Sequence, residues 1–314
     1  RVSESIENNA ILTLSEEEQA VLKTVLFFDA FDYPLKPSEV HQYAPISMSP
    51  LNVLPCLNFM VNHGLLFQHG SFFSSSKDAV IGKRRQDANA AAESKLKVAR
   101  RFASLISRFP FVRSIAITGN LTRGFVMAED DLEFFIIAKS GRLWLTQAML
   151  QGFRKVFLLN NRHYFNMNYF LDEAQLEVPD KNLFTATQLK TLIPAYNAEL
   201  FVRFVDANKW TSEFLPNIKP TKVDALSPVS TYPIKATLEM LLNITFGAMF
   251  DKSYKRSSLS VWKKEKDLSQ SAEAILEVGS YISIPLVEKK QQNILEAYSS
   301  KSEAFKSQNE TNFS

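Results

Sequence analysis

Asp131 and Glu133 stand at alternate positions at the head of an apolar run, Leu132, Phe134, Phe135, Ile136 and Ile137. They follow a shorter apolar run at 115–118 that ends in Gly119-Asn120. Successive side chains of a strand point to opposite faces, so a strand over 131–137 aims both carboxylates at one point, away from Leu132, Phe134 and Ile136. Two carboxylates held together need a cation, a basic side chain or water beside them. Mg²⁺ suits such a pair, because it is usually held by one or two carboxylates plus substrate phosphates. Gly119 offers the phosphate side of that arrangement. Without Cβ it lets the backbone turn sharply and approach an anion, and the amides that follow favour negative charge if they open a helix. Asn120 is a good helix N-cap with an amide donor, and Arg123 adds a cation on the same turn. The chemistry implied is the holding of a nucleoside triphosphate between a turn and a metal.

These residues need three strands to position them, at 115–118, 131–137 and 163–171. The third has a polar face presenting Asn166 and Asn168, with no carboxylate until Asp172. A neutral amide can ligate a metal through its carbonyl oxygen, but it cannot serve as a general base.

The order of strand, glycine turn, acidic strand and further strand resembles the nucleotidyltransferase, or DNA polymerase β-like, superfamily. The signature of that group is Gly-Ser on a turn followed by an Asp-x-Asp strand. Gly119, Gly124 and Asp131 match it, while Asn120 takes the serine position and Glu133 the second aspartate position. The resemblance implies Mg²⁺-dependent transfer of a nucleoside monophosphate from a triphosphate to an unknown acceptor. Asp131 and Glu133 are then the catalytic metal ligands. Gly119, Asn120, Arg123 and Asn168 surround the nucleotide, Asn168 where many members carry a third carboxylate. The extra methylene of Glu133 shifts its carboxylate by about an ångström, enough to cost roughly a hundredfold in rate. A second reading therefore stands beside the first: a catalytically degenerate nucleotide-binding or protein-interaction module on the same fold.

Upstream, Ser15 and Glu18 form a capping-box pattern, and Val21, Val25 and Phe28 repeat at helical spacing. A second helix is predicted from Pro37, a third over 49–63, and a short hairpin about His69-Gly70. This order resembles a winged helix, and with the downstream domain and the Asn208-Lys209-Trp210 and Leu215-Pro216-Asn217 sequences it is similar to a bacterial group of winged-helix nucleotidyltransferases. The third helix carries no Lys or Arg, which argues against duplex DNA as a partner, since basic contacts to phosphate supply most of that affinity. The basic cluster Lys83-Arg84-Arg85 reads as a solvated helix start.

The expected fold class is α+β. Residues 1–84 form a winged-helix-like domain, 85–220 a nucleotidyltransferase-like mixed sheet with a leading connector helix, and 221–314 a helical segment with helices at 234–250, 269–276 and 287–299. The polar tail from about 301 is expected to be disordered. Helices are also predicted over 85–108, 142–158 and from 182 to just before Pro194. The 314 residues carry a net charge of +3, which demands no nucleic acid partner. One cysteine, Cys56, excludes an intrachain disulfide and a cysteine-rich zinc site. No run is long and apolar enough to span a bilayer and the opening residues show no leader pattern, so a cytoplasmic protein is expected. Glycine arrays of the Rossmann and Walker types are absent, and four scattered histidines, His41, His63, His69 and His163, read as structural or surface residues.

Overall fold

A computed structural model describes residues 14–127, 130–159, 163–219, 233–245, 247–262, 281–283 and 285–311. The fold is mixed α+β. The chain divides into two compact units, Arg1–Gly82 with Asn293–Ser314, and Lys83–Gln292.

The first unit contains α1 (Glu16–Asp29), α2 (Pro37–Tyr43), α3 (Pro50–Asn62) and an antiparallel hairpin of β1 (Phe67–His69) and β2 (Phe72–Ser74). The capping box of α1 forms as the sequence predicts, with Ser15 and Glu18 each bonding the other's backbone amide. Buried rings of Phe28 and Tyr43, 4.4 Å apart, join α1 to α2. Asp29 closes α1 by accepting from Ser74 Oγ and the Ser75 amide, both at 2.7 Å, so a buried carboxylate fastens the helix to the hairpin.

The second unit is built on a five-stranded sheet in the order β6-β3-β4-β5-β7. Its strands are β3 (Val112–Thr118), β4 (Glu133–Ala138), β5 (Asn166–Asp172), β6 (Ile193–Tyr196) and β7 (Tyr281–Ser283). Among the described strands of this sheet, only the β4–β5 pair is parallel. Ile115, Ile117, Phe134, Ile136 and Phe170 form one apolar face, which shares a core with α4 (Val80–Ile106) and α5 (Leu143–Phe157). On the other face the Phe135 ring meets Tyr169 at 5.8 Å and Phe204 of α7 (Ala198–Ala207) at 5.1 Å. Beside α7 lie α6 (Leu183–Lys190) and the single turn α8 (Thr211–Phe214). Asn208 ties this corner together. Its amide nitrogen donates to the Leu176 and Phe204 carbonyls, and its oxygen accepts from the Val178 amide and Trp210 Nε1.

Two further helices, α9 (Pro233–Thr245) and α10 (Gly247–Trp262), complete the described part of this unit with the first turns of α11 (Pro285–Thr311). Glu239 of α9 accepts from the Phe111 amide and, through both oxygens, from Arg113 of β3 at 2.8 and 2.7 Å. Burial alone pushes the Glu239 carboxyl up, but these bonds and the nearby Lys235 hold it below its ordinary range. Asp251 of α10 accepts from the Leu145 amide in the first turn of α5, but burial outweighs that bond and pushes its carboxyl pKa up.

Several sequence expectations change. The acidic strand starts at Glu133, so Asp131 and Leu132 precede it. Asp131, just ahead of the strand, accepts one bond from Asn166 through Oδ2, and the third strand starts at Asn166 rather than at His163. The helix from 182 ends before Pro194 as expected, at Lys190, but Pro194 itself lies in β6, an edge strand, where proline is tolerated. The 234–250 helix is two elements, α9 and α10. Helix α11 runs through Thr311, replacing the expected disorder from about 301. Arg85 is buried, not solvated: it lies over the Phe125 ring, with Nη1 3.5 Å from the Gly124 carbonyl. The expected helix at 269–276 lies outside the described residues. Among the described residues no helix is long and apolar enough to cross a membrane.

Candidate functional site at the head of strand β4

Strand β3 delivers its last residue, Thr118, to Gly119, whose φ of 81° lies in the region that glycine alone adopts freely. The chain then makes a 3₁₀ turn over Asn120–Arg123 and leaves through Gly124, also at positive φ. Four residues of 3₁₀ helix replace the longer helix N-terminus that would strengthen an anion cradle. Thr122 Oγ1 donates to the Gly119 carbonyl at 2.8 Å, and Arg123 Nη2 donates to Asn120 Oδ1 at 2.7 Å. The Arg123 guanidinium is buried in the turn, and Nδ2 is the half of the Asn120 amide that this bond leaves unused.

The segment between the turn and β4 is pinned from α4. Lys95 Nζ donates to the Met127 carbonyl at 2.7 Å and to the Asp130 carbonyl at 3.3 Å, while Asp130 Oδ2 accepts from the Met127 amide. Asp130 is thus part of a loop closure, and Asp131 is the acid that turns toward the sheet. Its Oδ2 accepts from Asn166 Nδ2 at 3.0 Å, and its Oδ1 is 3.9 Å from His163 Nδ1, longer than a hydrogen bond. Backbone bonds fix this meeting, with the Leu132 amide donating to the His163 carbonyl and the Asn166 amide donating to the Leu132 carbonyl.

Sheet register places Thr118 opposite Glu133, and Glu133 opposite Asn166. Directly paired residues share a face, so hydroxyl, carboxylate and amide form one row across three strands. The Glu133 carboxylate folds back onto the glycine turn. A methyl group on Gly119 would lie 2.9 Å from Glu133 Cδ and 3.0 Å from Oε2, so the carboxylate end would have to move aside. Thr118 Oγ1 is buried and has no hydrogen-bond partner among the described residues, an orphan hydroxyl in the same row.

The structure therefore brings Gly119, Glu133 and Asp131 to one end of the sheet and keeps Asn120 and Arg123 paired to each other beside them. Past Asn166 the β4–β5 register slips, because Met167 and Tyr169 pair with successive residues Phe134 and Phe135. Asn168 is the extra residue of that irregularity, and its side chain lies outside the described residues. Asn166, not Asn168, occupies the row with Glu133. Sequence reasoning missed Thr118 and His163 as members of this corner. Counting the antiparallel pairing outward from Gly119 would have found Thr118, whereas His163 arrives through a backbone pairing that no local pattern announces.

Among the described residues no group of three or more His, Cys, Asp or Glu side chains converges as a metal site. Asp131 and Glu133 remain a two-carboxylate set. Together with the unsatisfied Thr118 hydroxyl they fit Mg²⁺ only if phosphate oxygens and water supply most of the coordination, the usual habit of that ion. When bound there, the ion would supply charge neutralisation for phosphate beside two acids.

No family model, no curated protein and no solved structure matches this chain.

Proposed function

We propose that the unit Lys83–Gln292 is a nucleotide-binding module of nucleotidyltransferase type, taking a nucleoside triphosphate with Mg²⁺ at the head of β4 without turning it over. The observation that carries the reading is the row Thr118, Glu133, Asn166. It puts a neutral amide, already donating to Asp131, where a transferase of this layout would need a further acid. Asp131 and Glu133 hold the metal in this reading, and Gly119 and the free half of Asn120 face the phosphates. Arg123 supports the turn by fixing Asn120 rather than by direct contact. An amide in the acid's place can orient a ligand but takes no proton from an incoming hydroxyl.

A second reading, transfer of a nucleoside monophosphate to an unknown acceptor, is favoured by one observation. The imidazole of His163, a side-chain type that often serves as a general base, stands beside Asp131. One experiment separates the two: calorimetric titration of the whole chain with each of the four ribonucleoside triphosphates, with and without Mg²⁺, while pyrophosphate release is followed in the same samples. The expected result is Mg²⁺-dependent binding that Asp131→Ala abolishes, with no pyrophosphate. Pyrophosphate release would establish the second reading instead, and no binding at millimolar nucleotide would overturn both.

A further inference from the structure

A separate cavity of about 340 Å³ opens among α6, α7 and α8, at the small end of the roughly 300 to 1,000 Å³ range of ligand pockets. Its apolar lining is Leu189, Val202, Phe204 and Val205, and its charged lining is Lys190, Lys209, Lys219 and Asp206. Asp206 is spent on Lys209, at 3.1 Å. Lys190 is placed differently. Its ammonium donates to Ser212 Oγ at 2.7 Å, and burial alone pushes its pKa down, with no carboxylate acting on it among the described residues. The half-buried ammonium thus has one neutral hydroxyl and no carboxylate among its partners in the described residues, which leaves its remaining donors open to an anionic ligand.

We propose that this cavity binds a small amphiphilic anion, a carboxylate or phosphate ester on an apolar chain or ring, with its charged head on Lys190 and its apolar part against Val202 and Phe204. The head completes the donor capacity of Lys190, which has two further N–H groups beyond the one given to Ser212. Lys219 adds positive potential at the rim, and the apolar wall rewards a tail that a bare anion lacks. Neither Asp131 nor Glu133 lines the cavity, so the site stands whatever the corner at β4 binds.

The test is calorimetric titration of the full chain, free of nucleotide, with octanoate, octyl phosphate, octan-1-ol and inorganic phosphate. The two amphiphilic anions are expected to bind, with the alcohol and inorganic phosphate at least about tenfold weaker, and the preferred anion identifies the head group. Lys190→Met should weaken binding of the anions by roughly ten- to a hundredfold, the span for loss of a charge-assisted hydrogen bond, while Lys190→Arg restores part of it. Val202→Asp provides a second variant on the exposed rim and should also abolish anion binding, by repulsion. Equal binding of octan-1-ol and octanoate would reduce the site to an apolar hollow and overturn the proposal. So would unchanged affinity in folded Lys190→Met, or no binding of any probe at ten-millimolar concentration.

Discussion

At the scale of single residues, the corner at β4 depends on Gly119 for two independent reasons, its positive φ and the carboxylate of Glu133 lying where a Cβ would be. Gly119→Ala is therefore expected to destabilise the protein by about 1–3 kcal/mol, read as a lowered thermal midpoint. Adding Glu133→Ala should recover the steric part and leave the dihedral part, so the double variant melts between the single variant and the parent. An unchanged midpoint in Gly119→Ala would mean that the turn tolerates a side chain at this backbone geometry, and a double variant no more stable than the single one would mean that the Glu133 carboxylate simply moves aside. This closeness was legible in outline, because the spacing of Gly119 and Glu133 already put glycine turn and acidic strand together. The partnership of Asp131 with Asn166 was not, since it is fixed by bonds between residues 132, 163 and 166 rather than by strand alternation.

At the scale of elements, local signals and long-range ones separate cleanly. Helix α1 was readable from Ser15 and Glu18 because a capping box is written within four adjacent positions. Strand β6 was not, because a proline inside a short run reads as a helix stop, and only the position at the sheet edge makes it tolerable. Nor could any window of sequence show that α9 docks by burying Lys235, whose Nζ donates to the Ser107 and Val112 carbonyls at 2.8 and 2.6 Å. Burial, aided by Arg113 nearby, lowers its pKa from 10.5 to about 8. Between those two values the unfolded chain binds more protons at this site than the folded one, so raising the pH favours the folded state there. Below pH 8 both states are charged and the burial penalty is fully present. Stability should therefore gain up to about 3 kcal/mol from this group between pH 8 and 10.5. Denaturant unfolding of the parent and of Lys235→Met across that window checks the sign: the difference between them must shift toward the parent as pH rises. A shift the other way would mean that the ammonium is favoured by its carbonyl partners more than it is penalised by burial.

At the scale of the whole molecule, the first unit is discontinuous, drawing Arg1–Gly82 and Asn293–Ser314 together. The returning segment makes specific contacts there: Tyr298 meets the Phe27 ring edge-on at 5.5 Å, and Lys301 Nζ donates to the Asp29 carbonyl at 3.3 Å. Burial raises the Tyr298 phenol pKa, as expected for a ring docked on the unit's own core. Deleting 293–314 should accordingly speed amide hydrogen exchange in α1 while leaving the β3–β4 ladder of the second unit protected. Equal protection of α1 in the truncated and full chains would show that the returning helix adds nothing to it. The same arrangement sets an order of assembly on the ribosome. The early helices emerge long before residue 293 is made, so α1 must wait with Phe27 uncovered while the whole sheet-bearing unit is synthesised and folds. A premature stop in the last helix would thus injure the part of the protein that was translated first.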